Sequence, residues 1–185
     1  APVTLPPGTK NVGIINRSLA TNNGKILDVV DKVFTLEGAN LDKDGSRASI
    51  SALENELSLS KRFGNINNID YAGPGNNTPG MYPTPLSWDK VSELCKLNNV
   101  DVLFSLELFD TDSKISYTAI PTRVNTPLGS VPMIQQEATM RTQVKTGWRI
   151  YDPVSRQVLD EAALSRFVTF TGRGVNPVMA ANALI

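Results

Sequence analysis

Histidine is absent from this chain, and cysteine occurs once, as Cys95. Without histidine, the Ser-His-Asp and Cys-His arrangements of nucleophilic catalysis are excluded, as are the commonest zinc sites. A single cysteine excludes an intrachain disulfide. Neither sign of charge is in excess, 18 Lys and Arg facing 18 Asp and Glu. No bulk field therefore draws nucleic acid or an anionic membrane surface. No window approaches the roughly 20 apolar residues that span a bilayer as a helix. A Gly-rich phosphate loop is missing too, since "NVGIIN" holds only Gly13. Neither a cofactor nor a metal is expected. The chain opens on Ala1 with no initiator methionine, basic n-region or apolar h-region, which reads as a processed or engineered start.

What is present suits one sizeable core: 185 residues, 41% of them hydrophobic. After a proline-rich arm over residues 1–10, the continuous apolar run Asn11 to Asn16 predicts a strand buried on both faces. "KILDVVDKVF" repeats Ile26, Val30, Val33 and Phe34 with helical spacing, and Gly38 is placed to end that helix. A second helix is expected from about Ser46 to Phe63, burying Ile50, Leu53 and Leu57. A short strand near "NIDYAG" leads into an irregular loop, Pro74 to Pro85. Ser87 then caps a helix that starts with Trp88 and buries Val91, Leu94 and Cys95, the thiol acting as a small hydrophobe.

The strand "VDVLFSLELFD" comes next, followed by a second irregular excursion from Ile120 to Pro132. From Glu137 to Tyr151 apolar residues favour the even positions. That alternation predicts Met140, Val144, Trp148 and Ile150 inside, with Arg141, Lys145 and Arg149 in solvent. A turn at Asp152-Pro153 returns the chain as "VLDEAALSRFVTF". Asn176 and Pro177 open a terminal apolar helix. The expected class is α+β with an α/β-like start, in the order β-α-α-β-α-β-β-β. Helices pack on a mixed sheet that ends in an antiparallel meander. The expected organisation is one domain over 1–175, with 176–185 the start of a truncated helical region. Uncovered, that helix would promote self-association.

Four clusters are candidates for chemistry. "NLDKDGSRAS", Asn40 to Ser49, places Asn40, Asp42, Asp44 and Gly45 as in a calcium loop, but position twelve is Ser51 instead of the bidentate Glu. Helix capping by Asp44 or Ser46 is the better reading. Asn16, Arg17 and Ser18 follow the first strand, and the carboxyl ends of strands in open α/β sheets collect ligands, so these three are candidate anion contacts. "NRS" and "NNT" are also glycosylation sequons, without meaning in a bacterial protein. "FDTD" brings Asp110 and Asp112 near Glu107, a trio that could serve a hydrolase or glycan-active enzyme, although solvated aspartates are ordinary at a strand end. Glu137, Arg141, Lys145 and Arg149 mix charge signs without interleaved aromatics, as a solvated sheet face does.

"KNVGIINRSL", "SWDKVSELCKLNNVDVLFSLELFD" and "GWRIYDPVSRQVLDE" together resemble a family of Gram-negative gut-bacterial lipoproteins of unknown function. The resemblance runs from about Thr9 to Val175. In that family a lipidated cysteine lies upstream and a tetratricopeptide-like helical region follows. More distantly, the chain is similar in fold to TolB N-terminal, curli-secretion and penicillin-binding-protein-activator lipoprotein domains. The resemblance implies an outer-membrane lipoprotein, periplasmic or surface-facing, held to the membrane only through an anchor absent from this chain. It implies a non-enzymatic domain that binds an envelope protein or helps assemble an envelope complex.

Overall fold

The computed structural model describes residues 5–19, 31–76, 81–127 and 129–184, and of residues 31–41 the backbone alone. The elements run β1 (Asn11–Asn16), α1 (Asp31–Leu59), β2 (Asn65–Asn68), α2 (Trp88–Asn98), β3 (Val102–Thr126), β4 (Gly129–Asp152), β5 (Gln157–Gly174) and α3 (Pro177–Asn182). The strands form one sheet in the order β2-β1-β3-β4-β5. β1 pairs in parallel with β2 and with β3, Val12 lying opposite Ile66 on one side and Val102 on the other. β3, β4 and β5 follow one another through short turns, which only antiparallel neighbours permit.

The expected α+β class and its element order do not hold. The protein is mostly β, with strands of 25, 24 and 18 residues and few helices beside them. Two helices were expected before the second strand, and among the described residues one stands there, α1, 29 residues long. Gly38 and Gly45 both lie inside it. A lone glycine costs a helix about 1 kcal/mol relative to alanine, which weakens the helix without ending it. The helical face of Ile26 and Val30 lies outside the described residues, as do the side chains of Val33 and Phe34.

The irregular excursion over Ile120–Pro132 is likewise replaced, by the facing ends of β3 and β4. Pro121 is tolerated in β3 because the β1 ladder stops at Leu106, so beyond that point one side of β3 needs no donor. Gly129, at φ +121°, takes the turn conformation that side chains disfavour, and Thr126 Oγ1 donates to its carbonyl at 2.8 Å.

Two compact units result: Ala1–Thr111 with Lys145–Ser165, and Asp112–Val144 with Arg166–Ile185. The first holds the core. Val12, Ile14 and Ile15 on β1, Leu103 and Leu106 on β3 and Val91 on α2 are sealed from solvent. The spacing read for α2 is observed: Val91, Leu94 and Cys95 are buried, and the Ser87 side chain accepts from Lys90 N. Burial lifts the Cys95 thiol to about 11, so it stays protonated. The edge of Trp88 meets Tyr151, their ring centres 5.9 Å apart.

The second unit comprises the outer stretches of β3, β4 and β5, with α3. Asn176 caps α3 through Met179 N at 2.9 Å. The helix lies so close on β5 that a Cβ at Gly172 would stand 2.5 Å from Ala180 O. Ala180 is buried, whereas Val178 and Met179 are 68% and 53% exposed. Among the described residues no helix is long and apolar enough to cross a membrane, which says nothing about strands.

Candidate functional site

The alternation in β4 predicts a wet odd face, and the structure corrects it at its C-terminal end. Arg149 and Tyr151 are buried, Arg141 is exposed, and Met140, Val144 and Trp148 are only half-buried. The reason lies in residues far away in sequence. The Met81–Ser87 segment crosses this face and supplies groups that an arginine and a tyrosine can satisfy.

Glu107, fully buried on β3, is the centre of that arrangement. Arg17 Nη1 donates to its Oε2 at 2.6 Å, and Tyr151 Oη donates to its Oε1 at 2.7 Å. Arg17 Nη2 reaches Thr84 O at 3.3 Å, and Leu86 N donates to Tyr151 Oη at 3.2 Å. Arg149 stacks over the Tyr82 ring at 4.8 Å, donates to Pro83 O at 2.6 Å and pairs with Glu161 at 2.6 Å. Tyr82 Oη donates to Ala162 O at 2.6 Å, and its ring occupies the space where Gly147 has no side chain. Asn76 joins in, donating to the carbonyls of Met81 and Glu107.

Titration follows from this packing. Burial and then the neighbouring Glu107 charge push the Tyr151 phenol up to about 12. Burial also raises the Tyr82 phenol. For Arg149 burial opposes the charge, but the Glu161 hydrogen bond and the Glu107 charge outweigh it, and the net shift is upward. Tyr151 therefore stays neutral and Arg149 charged at neutral pH. Such a network fastens a loop to a sheet, and every member is committed to that task. It leaves Arg17 Nε and Ser105 Oγ buried without a hydrogen-bond partner, a cost against its own stability.

Asn16, Arg17 and Ser18 thus separate in role. Arg17 and Ser18 are buried, Arg17 against Glu107, and Ser18 donates to Asn16 Oδ1 through its backbone N–H at 3.1 Å and its hydroxyl at 2.7 Å. Asn16 alone borders open space, a cleft of about 690 Å³ beyond the carboxyl ends of β1 and β2. Arg47, Ser51, Asn68, Asp70 and Tyr71 share its wall. The strand-end rule locates this cleft, while Arg47 and Asp70 carry no signal in sequence that they line it.

The carboxylate trio does not converge on a free surface. Asp110 is paired with Lys145 at 3.3 Å, and Asp112 is an exposed residue of the second unit. The calcium-like stretch is helical throughout, inside α1, so neither Asp44 nor Ser46 caps a helix start. Ser46 Oγ instead donates to Lys43 O at 2.9 Å and accepts from Asn16 Nδ2 at 3.0 Å. Asp42 accepts from Thr111 Oγ1 at 2.6 Å, and burial raises its carboxyl despite that bond. Among the described residues no three His, Cys, Asp or Glu side chains gather as metal ligands do.

Comparison with known proteins adds a family but no chemistry. Residues 9–185 match the model of the domain of unknown function DUF8603, and the chain belongs to that family. No curated protein matches the sequence. Among solved structures, one described as a neuraminyllactose-binding hemagglutinin homolog from Helicobacter pylori aligns over 92% of this chain and 72% of its own, at 10% identity and a TM-score of 0.29. A likeness that low supports no argument about fold or function.

Proposed function

We propose that this domain is a non-enzymatic binding module of the cell envelope, carried by a lipoprotein, that holds a protein partner against the second unit. The envelope part of this reading is supported by the lipoprotein resemblance. One observation carries the binding part. In the second unit the fully buried described side chains are those of Ala138 and Ala180, while Ile134, Phe167, Phe170 and Val178 stand 65%, 54%, 45% and 68% exposed. Large apolar side chains left in solvent on β4, β5 and α3 support a surface that another protein covers. The carboxylates of the first unit favour the same reading over hydrolysis, because Glu107 is fully buried with both oxygens accepting hydrogen bonds and Asp110 is paired with Lys145.

Site-specific photo-crosslinking in envelope extracts tests it. A photoreactive group replacing Ile134 or Phe170 should yield one discrete protein adduct, and the same group replacing Lys61 on the first unit should yield none. Absence of an adduct from both apolar positions, or equal labelling from all three, would overturn the proposal.

A further inference from the structure

The two ends of the sheet order are unlike. β2 closes one end with four residues, the short kind of edge that resists pairing. β5 closes the other with 18 residues, and among the described residues no strand pairs on its outer side. Natural edges are blunted by proline, lysine or brevity. The stretch of β3 beyond Leu106 carries both Lys114 and Pro121, whereas β5, "QVLDEAALSRFVTFTGRG", carries neither residue type.

Its sequence is also self-complementary. Laid antiparallel against a copy of itself with Ala163 opposite Ala163, the strand sets Asp160 opposite Arg166 and Val158 opposite Val168. Ala162 then faces Leu164, and by the two-fold symmetry each of these contacts occurs twice. All six residues are even-numbered and so share one face. Val158, Leu164 and Val168 are exposed there, at 36%, 58% and 42%. The Ala162 carbonyl, already bonded to Tyr82 Oη, keeps a second lone pair. We propose that β5 is a homotypic edge: two copies of this chain pair antiparallel through it about a two-fold axis at Ala163. This goes beyond the partner surface proposed above, since it uses the backbone edge of one strand and names a second copy of the chain as occupant.

Light scattering across a concentration series is the first test, and a dimer should grow in with concentration. Asp160→Arg and Arg166→Asp each set like charges opposite one another twice, and each should raise the dissociation constant about tenfold or more. The double variant Asp160→Arg/Arg166→Asp restores opposite charges and should recover the dimer. That recovery separates a pairing effect from misfolding. Cys95 is buried, so an introduced thiol can be followed cleanly. Ala163→Cys places two thiols across the axis within disulfide reach and should oxidise to a covalent dimer well ahead of Thr171→Cys. A monomer at every concentration, indifference to the single charge reversals, or equal oxidation of the two cysteine variants would each overturn the proposal. A monomer that still gives the Ile134 adduct would remove the homotypic edge and leave the proposed function standing.

Discussion

β3 begins with an unbroken run of buried residues, Val102–Phe109, and then runs exposed from Asp112 to Ala119. The same contrast separates the two units. The first seals long apolar side chains and ties a crossing segment down with Glu107, Arg17, Arg149 and Tyr151. The second leaves Ile115, Tyr117, Phe167 and Phe170 about half exposed. Strands form in both, but the large buried apolar side chains lie in the first, and the second buries only Ala138 and Ala180 among its described hydrophobic side chains. That difference is what the proposed partner surface calls for: a core that packs on itself, and strands that a second molecule would cover.

Replacing the centre of the network should have the largest effect. Glu107→Leu leaves Arg17 buried without its 2.6 Å partner and should cost about 3–5 kcal/mol in urea denaturation. The pair variant Arg17→Met/Glu107→Leu should recover much of that loss, because no lone charge remains inside. Gly147→Ala comes next. Its Cβ would stand 2.7 Å from Tyr82 Cζ, and the Arg149 stack and the Ala162 bond keep that ring from swinging aside. A loss of about 1–3 kcal/mol is expected by the same measurement. In the second unit, Phe170→Ser should change stability by no more than about 0.5 kcal/mol while lowering the binding of a hydrophobic dye. A large loss there would show a packed core and erase the contrast.

The smallest effect is electrostatic. Asp101 Oδ2 accepts from the backbone N–H groups of Lys10 and Asn11, each at 2.8 Å, and the bonds from Asn11 and Lys10 hold its carboxyl below the ordinary value of 3.8. A depressed carboxyl stabilises the fold above its unfolded value and loses that contribution as pH falls through its folded one. Wild type should therefore melt slightly above Asp101→Asn at pH 6, and the gap should close below pH 3.8. A gap that widens in acid would contradict the assignment.

Much of the first unit was legible in the sequence. The apolar run of β1, the Ser87 cap and the stripe of α2 each follow from local chemistry, as does the Asn176 cap in the second unit. The alternation of β4 and the return strand β5 could be read, but the facing ends of β3 and β4 could not, because Pro121, Pro127, Gly129 and Pro132 are loop residues by local rules. Pro121 becomes a strand residue where one side of β3 is free of its ladder, Gly129 and Pro132 fall at the start of β4, and Pro127 stays in the turn between them. Nor could spacing place Arg149 inside, since its burial depends on Tyr82 and Pro83, more than sixty positions away. Asn16 lies at the cleft as strand-end logic expects. Arg17 turns from that edge to Glu107, a partner ninety residues distant.

Native-state hydrogen exchange on dilute protein tests the contrast most directly. Amides of β1 and of Val102–Phe109 should exchange only through global unfolding, while those of Ile115–Ile120 and Phe167–Phe170 should exchange through local opening that ends when the surface is covered. Equal, global protection of both sets in the isolated dilute chain would contradict the account, because the outer strands would then need no other molecule to complete them.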